Sequence, residues 1–204
     1  MSVTADPTPP ARPTPPTQTQ TPRESSAPST LGVGVVVWLA SELMFFAGLF
    51  AAYFTIRSVN DVWPPDDVEL ETVRTAIATV VLVSSSGAMH MAVVAAKRGD
   101  RRGAANWLGI TALMGAIFLS NQVVEYVQAD FRLDDHAYGS IFYLMTGFHG
   151  LHVVGGLVFM GAVAVAIAGR SRAPAHQTVE VCGYYWHFVD VVWVAMFSTI
   201  YLLR

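Results

Sequence analysis

Five apolar runs, at about 31–57, 72–96, 104–128, 138–168 and 180–203, constrain this chain more than any other feature. Each nears or exceeds the roughly 20 residues that a helix needs to cross a hydrocarbon core of about 30 Å. In lipid, unpaired backbone N–H and C=O groups have no water to turn to, so spanning segments of this kind must be helical. The expected fold class is therefore all-α: an integral membrane bundle of five transmembrane helices. Composition agrees, with 53% hydrophobic residues, only 13% charged and a mean hydropathy of +0.44.

Ahead of the first run, residues 1–30 hold eight of the 11 prolines among many Thr, Ser and Gln. Such a segment has too little apolar surface to order itself and is expected to be a disordered tail. It lacks the basic stretch and apolar run of a signal peptide, and its two arginines are too few for a transit peptide. The chain divides into this tail and a membrane domain at 31–204.

Loop charges alternate. Asp61, Asp66, Asp67, Glu69 and Glu71 follow the first helix, and Asp130, Asp134 and Asp135 outweigh Arg132 after the third. Lys97, Arg98, Arg101 and Arg102 follow the second, with Arg170 and Arg172 after the fourth. The positive-inside rule places the second and fourth loops, and so the N-terminus, in the cytoplasm, with Arg204 outside. A net charge of −3 without a basic stripe excludes a nucleic-acid partner. The single Cys182 excludes an internal disulfide and reads as a small residue near a helix start. No internal repeat is visible, and five spans do not divide into the paired halves of an inverted-repeat transporter.

The membrane runs carry polar groups that need an explanation. Glu42 lies about a dozen residues into the first helix, near mid-membrane. Such a carboxyl is kept neutral, hydrogen-bonded to another helix, or set in a wet cavity, and it is either functional or a glue between helices. His90 follows Ser84-Ser85-Ser86-Gly87, whose small side chains allow close helix approach. Glu125 sits in the outer half of the third helix beside Asn121-Gln122 and Tyr126. His149 and His152 are three apart, as are His187 and Asp190, so each pair shares a helix face. A His–Asp hydrogen bond would offset part of the ~2.5 kcal/mol or more that a lone charge costs at this depth.

By count these seven residues could bind copper, zinc or haem. Only one pair places two histidines on a face, however, and Gly147, Gly150, Gly155 and Gly156 flank it. Small residues signal tight helix packing, which favours a buried hydrogen-bond network over a metal site. In such a network, His149→Leu would leave partners unsatisfied and weaken packing or docking.

Three segments together resemble a known family. They are Ser41-Glu42-Leu43-Met44-Phe45-Phe46 followed by Gly48-Leu49-Phe50-Ala51-Ala52-Tyr53; Tyr138-Gly139-Ser140 leading into Thr146-Gly147-Phe148-His149-Gly150-Leu151-His152-Val153; and Tyr185-Trp186-His187-Phe188-Val189-Asp190-Val191-Val192-Trp193. Over residues 31–204 the chain resembles subunit III of the haem-copper cytochrome c oxidases.

The resemblance implies a non-catalytic subunit of a proton-pumping respiratory oxidase, with no redox centre, metal or cofactor of its own. Haem a and the copper of the oxygen-reducing site would belong to subunit I, and the dicopper site to subunit II. This chain would pack on subunit I, contact subunit II or a respiratory supercomplex, bind phospholipid and help sustain proton uptake. Glu42 matches the family's buried helix carboxylate; His149, His152, His187 and Asp190 match its internal polar network, in which His90 and Glu125 are further candidates. Mitochondrial-type members have two extra N-terminal helices forming one wall of a lipid cleft. Here a Pro-rich tail replaces them, a short form that points to a bacterial plasma membrane.

Three alternatives remain open from the sequence. Subunit III of a quinol oxidase also has five helices, but there the Ser41-Glu42 pair tends to be Ser-Asp. From another class, an independent proton channel or transporter would use Glu42, His149, His187 and Asp190 as relays. A haem-binding membrane protein, a third reading, predicts a Soret band in the isolated chain.

Overall fold

The computed structural model describes residues 30–66, 68–169 and 175–203. Its elements are α1 (Thr30–Ser58), α2 (Thr72–Lys97), α3 (Arg101–Gln128), α4 (Ala137–Ala168) and α5 (Ala175–Phe197), the last running into a π turn at Ser198–Leu202. All five are long and apolar enough to span a bilayer, and no strand occurs among the described residues. The all-helical five-span expectation holds. The proline-rich tail to residue 29, Asp67, Arg170, Arg172 and Arg204 lie outside the described residues.

The helices outrun their apolar runs. At 26 to 32 residues for α2 and α4 they measure about 39 to 48 Å, so polar end turns project past a core of about 30 Å. α5 begins at Ala175, ahead of the expected 180, because its first turns carry His176, Gln177 and Glu180. Lys97 at the end of α2 meets Glu180 at 2.9 Å.

A three-residue connection forces α2 and α3 into an antiparallel pair. Gly99 takes φ +77°, a backbone region open to glycine. There the Asp100 N–H donates to Ala95 O at 3.0 Å and the Gly99 N–H to Ala96 O at 3.1 Å, the two bonds that close a left-handed helix end. Asp100 then caps α3 by accepting from the Gly103 N–H at 2.9 Å. At the opposite end, Trp63 of the α1–α2 loop stacks edge-on against Tyr138 at the start of α4, with ring centroids 4.9 Å apart. The acidic loops after α1 and α3 therefore share one end of the bundle, and the basic α2–α3 loop occupies the other.

Helices α2, α3, α4 and α5 close a ring, each packed on the next and α5 back on α2, while α1 leans on α4 and α5 from outside. Burial follows: in an 18-residue apolar stretch of each span, 61% of the residues are buried in α5 against 6% in α1. The centre is Trp186. Its indole fits between Gly115 of α3 and Gly156 of α4, where an added Cβ would stand 2.6 and 2.7 Å from the ring, and its Nε1–H donates to Ser85 Oγ of α2 at 2.7 Å. One residue of α5 thus touches the other three helices of the ring.

Candidate functional site

The polar side chains within the spans sort into separate stations. The first joins α1 to α4, where His152 Nε2 lies 3.1 Å from Glu42 Oε2. The other ring nitrogen, Nδ1, is 2.7 Å from the Phe148 carbonyl oxygen, which can only accept, so Nδ1 carries a hydrogen. The contact at Nε2 then needs one further proton. Either a protonated Glu42 donates to a neutral imidazole, or an imidazolium donates to a carboxylate. Both forms are net neutral, the condition under which a pair is least costly in a low-dielectric setting. The side chains are 24% and 15% exposed, so the pair lies near the bundle surface. Phe46 stands edge-on to His152 at 5.1 Å, and the Tyr185 hydroxyl donates to the His152 carbonyl at 2.8 Å.

The second station joins α2 to α5. Ser86 Oγ is 2.8 Å from His187 Nδ1 and also hydrogen-bonds Asp190 Oδ2. The spacing of His187 and Asp190 suggests a mutual bond; instead a serine of α2 bridges them. Ser86 has one hydroxyl hydrogen, so it donates to one neighbour and accepts from the other, and a second proton must reside on His187 Nδ1 or on Asp190. Asp190 is 5% exposed, and its Oδ1 has no partner among the described residues.

The third station ties α2 and α3 to the chain's last turn. Glu125, 3% exposed, accepts from Tyr201 OH at 2.9 Å through Oε1 and from Thr75 Oγ1 at 3.1 Å through Oε2. Tyr126 of α3 and Thr146 of α4 pair at 2.7 Å nearby.

His149 stands apart from all three. It is 1% exposed between Trp193 and Phe118, with ring centroids 4.9 and 5.9 Å away, and neither ring nitrogen has a partner among the described residues. His149 and His152, three apart on α4, thus serve different neighbours: one faces the aromatic core and the other reaches α1. His90 is exposed on α2. Among the described residues, no three His, Cys, Asp or Glu side chains converge as a metal-binding group would require.

Sequence inspection singled out the acids and histidines but not their hydroxyl partners. Ser86, Thr75 and Tyr201 read as ordinary small or aromatic residues until the helices are packed. Only the run of three serines hints at contact, as a sign of close helix approach.

Comparison with known proteins gives this arrangement its context. The sequence model of the family described as cytochrome c oxidase subunit III matches residues 19–204. A probable cytochrome c oxidase subunit 3 of Nocardia farcinica is 47% identical over 182 residues, covering 87% of this chain and 90% of that protein. The corresponding protein of Mycobacterium tuberculosis shows the same identity and coverage. The cytochrome c oxidase subunit 3 of Thermostichus vulcanus is 43% identical over 178 residues, covering 84% of this chain and 86% of its own length. With the match running through all five spans and the motifs around Glu42, His152 and Asp190, the chain belongs to the cytochrome c oxidase subunit III family.

Proposed function

We propose that this chain is the non-catalytic subunit III of a proton-pumping cytochrome c oxidase in a bacterial plasma membrane, where it packs on the haem-bearing subunit I and supports proton uptake. The observation that carries the reading is the Glu42–His152 pair. It holds one proton between Oε2 and Nε2, and can shift that proton without changing its net charge. A pair of this kind relays a proton at low electrostatic cost, accepting one on one partner as it releases one from the other. Its place on the least covered helix, near the bundle surface, puts it where a neighbouring subunit can reach it.

The remaining stations support a scaffolding role. Both oxygens of Glu125 accept hydrogen bonds from neighbouring elements and His149 is enclosed by aromatic rings, so each helps hold helices together. Phospholipid is assigned to the apolar groove between α1, α4 and α5, about 640 Å³ and lined by Val35, Trp38, Phe159, Val181 and Tyr185, which matches an acyl chain in chemistry. The basic α2–α3 loop supports a cytoplasmic placement of that end, and with it of the N-terminus.

The test is co-purification. The tagged chain, extracted in mild detergent, is expected to bring haem a absorption and two larger membrane subunits, with a dicopper signal in the redox spectrum. A complex lacking that signal would assign the chain to a quinol oxidase. A chain purified alone that conducts protons in liposomes would overturn the subunit reading.

A further inference from the structure

The three intramembrane acids differ in one respect. Glu42 bonds His152 through Oε2 and is 24% exposed, and both oxygens of Glu125 accept hydrogen bonds, whereas Asp190 Oδ1 has no donor among the described residues although the residue is 5% exposed. A buried oxygen left without a donor costs roughly 1–3 kcal/mol, and hydrocarbon supplies none. Asp190 also lines an open groove of about 250 Å³ together with Val83, Ser86, His187, Val191 and Val194.

Place and shape narrow the occupant. Ser86 lies midway along α2 and Asp190 midway along the α5 span, so the groove opens near the membrane centre, away from lipid headgroups and bulk water. Its rim is low. Val83, Val191 and Val194 are 43%, 68% and 43% exposed, and on the same stretch of α2 Ser84 and Gly87 are exposed, with open space where a Cβ of Gly87 would stand. Small and β-branched side chains let a second helix backbone come close. A donor delivered on a helix meets all these conditions, and a neutral hydroxyl or amide does so without bringing a charge to mid-membrane.

We infer that the α2–α5 face around Ser86, His187 and Asp190 is a docking surface for a transmembrane helix of a neighbouring oxidase subunit, one that presents a hydroxyl or amide N–H to Asp190 Oδ1. The inference rests on the oxidase-subunit reading and adds to it a face and a chemistry. The docked helix closes the groove, completes the hydrogen bonding of Asp190, and leaves the Glu42–His152 pair on a different side of the bundle.

The experiment uses the whole complex. A benzophenone side chain at position 191 is expected to crosslink, in native membranes, to a peptide of another oxidase subunit identified by mass spectrometry. Val191→Trp, which fills the groove from an exposed position, should lower retention of the larger subunits about tenfold, the effect of losing some 1.4 kcal/mol, while the amount and helicity of this chain stay constant. Asp190→Leu should do likewise and Asp190→Asn should not, because the amide keeps an acceptor oxygen in place. Crosslinks only to lipid or to a second copy of this chain, or full retention in Val191→Trp, would overturn the inference while wild-type co-purification still stands. Failure of the wild-type chain to bring down other oxidase subunits would instead overturn the reading beneath it.

Discussion

At the scale of single residues, two histidines one turn apart call for opposite treatment. His152 holds a proton jointly with Glu42, and Glu42→Gln keeps a donor toward Nε2 while removing the titratable oxygen. The expected outcome is a complex assembled at wild-type yield with proton-coupled turnover partly reduced; complete loss of oxygen reduction in an assembled mutant would contradict this. His149 has no such partner among the described residues, so the weakening expected of His149→Leu from sequence is reversed by its setting. An apolar side chain of similar size between Trp193 and Phe118 leaves no polar group stranded, and stability should stay within about 1 kcal/mol of wild type or rise. Thermal melting of the purified complex measures it. Spacing put both histidines on one face correctly in angular terms, but it could not tell which neighbour each would meet, because that depends on where α1 and α5 lie.

At the scale of elements, the ring of four helices is keyed by Trp186. The indole is held by its bond to Ser85 and by Gly115 on one side, so it cannot retreat from a methyl group added at Gly156. Gly156→Ala should cost roughly 1–3 kcal/mol through overpacking, lowering the melting temperature by about 2–4 °C per kcal/mol. Gly161→Ala, on the same helix with nothing within 4 Å of the new Cβ, should be neutral or stabilising. Equal melting of the two variants would show that the slot is not tight. The glycines of α4 announced close packing in the sequence, and Gly155 and Gly156 deliver it against Tyr185 and Trp186; Gly147 and Gly150 meet only ordinary contacts at 3.7 and 3.9 Å. Glycine marks where approach is permitted, and the partner's bulk decides where it happens.

At the scale of the whole molecule, five spans were legible because hydrocarbon thickness sets a length that apolar runs must match, whereas the order of helices around the ring was not, since it arises from side-chain fit between segments far apart in the chain. Orientation is testable directly. Cys182 is buried and is the chain's single cysteine, so a thiol introduced in a loop reports cleanly. On intact cells an impermeant maleimide should label Val62→Cys and spare Arg98→Cys; the reverse pattern would invert the topology. The seating of α1 outside the ring, against α4 and α5, also sets a timetable for biogenesis. Glu42 and His152 are 110 residues apart, so at about 5–20 residues per second the acid enters the bilayer on the order of ten seconds before its partner is made. A nascent chain stalled before α4 should therefore expose α1 to crosslinking by the insertion machinery, and one released after α5 should not: the earliest of these five helices is the last to find its place.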